Sequence, residues 1–118
     1  MTPKSRLMLI FTILPLVAAA PAPDGRDIVE HGSAGGAPPC SSCHGAKLGG
    51  NPAIHAPAIA GLPAATIVGR LDHYASPEGH NALMKQVATA LSHPEREAVA
   101  GYISRLPKAA TGPAPAGK

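Results

Sequence analysis

The sequence predicts an all-α domain of about four short helices joined by long loops. Three observations carry this. Apolar residues recur at helical spacing in several stretches, no stretch alternates apolar and polar residues as a half-buried strand would, and Gly, Pro and Ala dominate the connecting segments. At 118 residues the chain is long enough for one small domain and too short for two.

The opening twenty residues read as an export signal. Lys4 and Arg6 precede an apolar run, Leu7 to Ala20, that ends in small residues. As a membrane helix the run would reach only about 21 Å against a hydrocarbon core of roughly 30 Å, and Pro15 interrupts it. Cleavage is expected near Ala19 or Ala20, which leaves a domain over 21–107 and a disordered tail over 108–118, and places the mature protein in the periplasm. Removing Lys4 and Arg6 from ten basic residues leaves eight against seven acidic ones, a balance of +1. With no Lys/Arg cluster and no interleaved aromatics, nucleic acid is not a suggested partner.

The first helix is expected over Asp24–Gly32, with Asp24 as N-cap, Ile28 and Val29 inward and Gly32 closing it. Residues 33–39 and 46–62 are too rich in Gly, Pro and Ala for a helix of any length. Ile67, Val68, Leu71, Tyr74 and Ala75 form an amphipathic stripe behind Pro63, which suits a first helical position, and Ser76-Pro77 ends that helix. A short helix from Met84 to Leu91 places Met84, Val87 and Leu91 on one side. The last helix opens on a capping box, Ser92 with Glu95, and carries Val99, Tyr102, Ile103 and Leu106 inward until Pro107 stops it.

Such helices bury little. The chain has no Trp, one Phe (Phe11) and two Tyr (Tyr74 and Tyr102), so large side chains alone can hardly fill an interior. A large flat apolar group held between the helices would supply the missing bulk.

Both cysteines lie in "PPCSSCHGAKLGG" as Cys40-Ser-Ser-Cys43-His44. Two thiols and an imidazole this close suit a redox dithiol, a metal clip or covalent attachment of haem. A redox dithiol wants a strand leading into the motif, and "GSAGGAPP" leads in instead. Structural zinc wants a second ligand pair, which the chain lacks. An exported protein could form a Cys40–Cys43 disulfide, but the loop it closes is too small to add much stability. A haem suits the motif best. If the segment is helical, positions i, i+3 and i+4 share a face, so both sulfurs can bond the vinyl edges while His44 meets the iron. After signal cleavage Met84 is the one remaining thioether, forty residues beyond His44, and is the expected second axial ligand. A lone Met on a helical stripe also serves as core filler. A thioether ligand favours ferrous iron and closes the site to small molecules, which points to electron transfer.

"CSSCHG", then "APAIAGLP", then a helix, then "ALMKQVATALSHPEREAVAGYISRLP" resembles a class I c-type cytochrome of the short bacterial periplasmic type, from about Gly25 to Pro107. The resemblance implies one haem c on Cys40 and Cys43, with His44 and Met84 as axial ligands. It implies that the Pro57 carbonyl accepts a hydrogen bond from the His44 ring, and that Gly25 and Tyr102 mark the close crossing of the first and last helices. Val29 stands where the family often has an aromatic, so that crossing is expected to be less well filled. His31, His55, His73, His80 and His93 are read as surface or loop residues, with His80 the substitute for Met84 as ligand. Arg70, Tyr74 and Asn81 are within reach of a haem propionate.

The expected function is a one-electron carrier and not an enzyme, docking transiently with larger redox proteins at the exposed haem edge. Two alternatives stand beside it: a haem subunit of a larger dehydrogenase or oxidase complex, and an open-site haem enzyme or gas sensor.

Overall fold

The computed structural model describes residues 10–17 and 21–108. The remaining parts of the expected signal and tail lie outside the described residues. Five helices are present among the described residues, α1 (Gly25–His31), α2 (Ser41–His44), α3 (Ala64–Ala75), α4 (Ala82–Ala90) and α5 (His93–Ser104), with one 3₁₀ turn at Pro52–Ile54. Apart from an isolated bridge between Asn51 and Ala56, no strand pairing occurs among the described residues. The fold is all-α, as the periodicity predicts. The count rises from four to five because the Cys-Ser-Ser-Cys-His segment itself makes a helical turn.

The helices α1, α4 and α5 start where a side chain can satisfy free N–H groups, whereas α2 and α3 have no side-chain cap. Asp24 accepts from the N–H groups of Arg26 and Asp27, at 3.0 and 3.2 Å. Ser92 and Glu95 close a reciprocal capping box on α5. Pro63 sits at the N-cap of α3, one place earlier than the sequence suggests. The start of α4 also differs, lying two residues ahead of Met84 because the Asn81 side chain accepts from the Met84 N–H at 2.9 Å. At the far end α5 stops at Ser104, and i→i−3 bonds from Arg105 and Leu106 tighten the chain before Pro107.

α1 packs on α5, and α3 packs on both α4 and α5. At the α1–α5 crossing Gly25 lies directly on the Ala98 carbonyl, leaving no room for a Cβ. Val29 is buried there at 2 % exposure, beside Val99 and Ile103 at 1 % each. Between α2 and α3 the chain from 45 to 62 has almost no regular structure, yet it docks closely. Leu48 is 1 % exposed, and its carbonyl accepts from the N–H groups of both Ile59 and Ala60. The Gly61 N–H then bonds the Ile103 carbonyl of α5 at 3.0 Å. These ties turn a loop into one wall of the interior.

Residues 10–17 carry no regular secondary structure, and Ile10, Phe11, Leu14 and Leu16 are each more than four-fifths exposed. No helix among the described residues is long and apolar enough to cross a membrane.

Candidate functional site

Cys40 forms the N-cap of α2 in a right-handed helical conformation, so Cys40, Cys43 and His44 fall on one face of a single turn. Both cysteines are free thiols and both are half-buried. Burial raises the Cys40 thiol above its ordinary pKa, because the thiolate would lose its water there.

His44 is the buried polar side chain of the described core, at 7 % exposure. A buried imidazole needs partners for its ring nitrogens. Nδ1 lies 2.8 Å from the Pro57 carbonyl oxygen. A carbonyl can only accept, so the proton sits on Nδ1, and in the neutral ring the lone pair belongs to Nε2. Nε2 has no hydrogen-bond partner among the described residues and is not sealed from the adjoining cavity. The backbone supports this arrangement: the His44 carbonyl accepts from the Gly50 N–H at 2.8 Å, and Gly50 takes a φ of 92° that a side chain would strain.

The cavity has a volume of about 350 Å³, within the range of small-molecule and cofactor sites. Cys40, Cys43 and His44 line it from one side and Met84, Val87 and Leu91 from α4. Ile67 and Leu71 of α3 and Val99 and Ile103 of α5 also line it. The walls are mainly apolar, with Arg70, Tyr74 and Asn81 among the polar lining groups. Two thiols, an imidazole lone pair and one thioether around an apolar slot fit a covalently held haem. They do not fit a hydrated metal, since no group of three or more His, Cys, Asp or Glu among the described residues is placed so that it could hold a metal ion.

Every residue expected at the site, Cys40, Cys43, His44, Pro57 and Met84, therefore lines one cavity. His80 does not line it and is exposed, which sets it apart from the site. His55, grouped with the scattered histidines by sequence, does line it, from the end of the 3₁₀ turn two residues before Pro57. Sequence reasoning also passed over Lys85 and Arg96, which tie α4 to its neighbours. Neither carries a motif that would have marked it.

An all-α shell around an apolar cavity, with Cys-x-x-Cys-His at its rim, defines a c-type cytochrome domain. No family model matches the sequence. The chain is 36% identical over 116 residues to the thiosulfate dehydrogenase electron acceptor of Thiomonas intermedia (strain K12), covering 98% of this chain and 51% of that protein. Its structure is similar to the reduced recombinant cytochrome c4 from Pseudomonas stutzeri, with a TM-score of 0.63 and 29% identity over 70% of this chain and 46% of the other. It is also similar to thiosulfate dehydrogenase (TsdBA) from Marichromatium purpuratum, with a TM-score of 0.71 and 30% identity over 78% of this chain and 20% of the other. The chain thus spans about half the length of the Thiomonas relative and less of the two structures. These likenesses support a class I c-type cytochrome.

Proposed function

We propose that this chain is an exported one-electron carrier that holds one haem c through thioether bonds from Cys40 and Cys43. His44 Nε2 and the Met84 sulfur would hold its iron. The observation that carries this reading is the hydrogen bond from His44 Nδ1 to the Pro57 carbonyl, which leaves the Nε2 lone pair free in a residue that lines the same cavity as both thiols. Such a partner fixes ring orientation and ligand basicity. Bound in the cavity, the haem supplies the redox chemistry, cycling its iron between Fe(III) and Fe(II). The chain supplies the rest. Its apolar walls exclude water, the Met84 thioether would favour the ferrous state, and no substrate is turned over by the chain itself.

The mature protein lacks the first twenty residues and works in the periplasm. The exposed apolar side chains of 10–17 support removal of that stretch, since a folded protein rarely leaves so contiguous an apolar patch uncovered. Its electron donor is an enzyme of the thiosulfate dehydrogenase kind, as the name of its Thiomonas relative suggests. Docking is transient, because a carrier must leave one partner to reach the next. A second reading, a haem subunit built into a larger dehydrogenase, is favoured by the likeness to about a fifth of the Marichromatium chain. Stable co-purification with a larger protein would select it.

Absorption spectra test the ligand set. Oxidised protein made in a host that attaches haem c should show a weak far-red band from methionine sulfur on ferric iron, and Met84→Ala should lose it. Haem attached without that band in the wild type would overturn Met84 ligation. Carbon monoxide binding to the reduced wild type at neutral pH would then favour an open-site enzyme or sensor.

A further inference from the structure

Met84 stands on α4, a helix of nine residues that cannot hold its own position in water. What fixes it lies elsewhere in the chain. Arg96, in the first turns of α5, donates from Nε and Nη2 to the Ala88 carbonyl at 3.1 and 2.7 Å, and from Nη1 to Asp72 Oδ1 of α3 at 2.9 Å. Its side chain is only 16% exposed. Ala88 lies one helical turn beyond Met84, and its carbonyl, in the last turn of α4, also accepts the capping N–H of Leu91 at 3.3 Å, so the guanidinium joins the bond that closes the helix. A second cation holds the other half of the helix: Lys85 Nζ donates to the Ser76 carbonyl, at the C-cap of α3, at 2.9 Å.

We infer that Arg96 is a positioning residue for the Met84 ligand, clamping α4 between α3 and α5 so that the sulfur stays on ferric iron. The inference rests on the ligand set proposed above. A planar guanidinium is suited to the task, because its fork can take two acceptors in fixed geometry while a lysine takes one direction at a time. Charge-assisted bonds in a partly buried setting are also the strong ones.

The test compares haem-loaded wild type with Arg96→Met, Arg96→Lys and Asp72→Asn, titrating each ferric protein with imidazole and following the far-red band on heating. Imidazole competes with Met84, so its apparent affinity rises in proportion to the fraction of protein with the sulfur released. Arg96→Met should bind imidazole about tenfold more tightly, the effect of losing roughly one such bond. Its band should fade on heating well before the helical circular dichroism. Arg96→Lys should recover part of the difference by reaching the Ala88 carbonyl, and Asp72→Asn should show a smaller change than Arg96→Met. Should Arg96→Met fail to accumulate with haem, the other two variants carry the test. Wild-type imidazole affinity in every variant that loads haem, with only the unfolding midpoint lowered, would overturn the clamp and leave Met84 ligation standing. A wild type without the far-red band would overturn the ligand reading and the clamp together.

Discussion

The ring of His44 illustrates how one backbone carbonyl decides a side chain's chemistry. Because the Pro57 oxygen can only accept, the 2.8 Å contact assigns the tautomer, and the tautomer assigns the nitrogen left free for coordination. The neighbouring glycine at position 50 belongs to the same device, since its N–H holds the His44 carbonyl. Gly25 does its work by having no side chain. A Cβ there would press into the Ala98 carbonyl, which is helical backbone and cannot swing aside as a flexible side chain could. Gly25→Ala should therefore pry α1 off α5 and cost about 1–3 kcal/mol, as overpacking in tight interiors does. Urea unfolding of the haem-loaded protein would show this as a lower midpoint. A midpoint equal to wild type would mean that the two helices cross with slack.

Helix α5 is the element on which α1 and α3 meet, and it lines the cavity through Val99 and Ile103. Its start rests on the Ser92–Glu95 box, with Glu95 N–H to Ser92 Oγ at 3.3 Å and Ser92 N–H to Glu95 Oε2 at 2.7 Å. Ser92→Ala removes one half of that exchange and should cost about 1 kcal/mol, measured in the same unfolding experiment. Glu95→Gln, which can still accept from the Ser92 N–H, should cost less. The helices α1, α3 and α5 were legible in the sequence because their caps and stripes are local, lying within a few residues of what they stabilise. The start of α4 was not, because Asn81 follows a stretch with the composition of a loop and only its capping bond to Met84 reveals its role. Within 45–62 the decisive features are Leu48, buried with a φ of 56°, and its bonds to residues eleven and twelve places on. No periodicity encodes such contacts. The cysteines, His44, Pro57 and Met84 were singled out through their motif and the resemblance it carries, and they line one cavity. Arg96 was not, because its partner Asp72 is 24 residues away and neither stands in a motif.

The molecule as a whole has little with which to fill its interior. Among the described residues the largest fully buried side chains are Leu48, Ile103 and Val99, and no Phe, Tyr or Trp is buried in the core. α3 and α5 touch, yet both also turn apolar residues, Ile67 and Leu71 on one and Val99 and Ile103 on the other, toward the cavity of about 350 Å³. Left to water, a slot of that size keeps apolar walls exposed whose burial would stabilise the fold by roughly 25 cal/mol per Å². That loss weighs against a net stability that in an ordinary domain is only about 5–15 kcal/mol. The chain must then collapse the cavity, wet it or fill it. Collapse is opposed by the ties that hold the 45–62 loop to α5, and wetting exposes the same apolar walls whose burial would stabilise the fold. Filling is what remains, so folding and haem attachment should be one event. A Cys40→Ser, Cys43→Ser double variant, which cannot form the thioethers, is expected to lose the cooperative thermal transition along with the haem and to keep only part of the helical circular dichroism. A cooperative transition near the wild-type midpoint in that haem-free variant would mean that the helices and loops carry the fold unaided, and that the cavity is a preformed receptacle whose cost is met elsewhere in the structure.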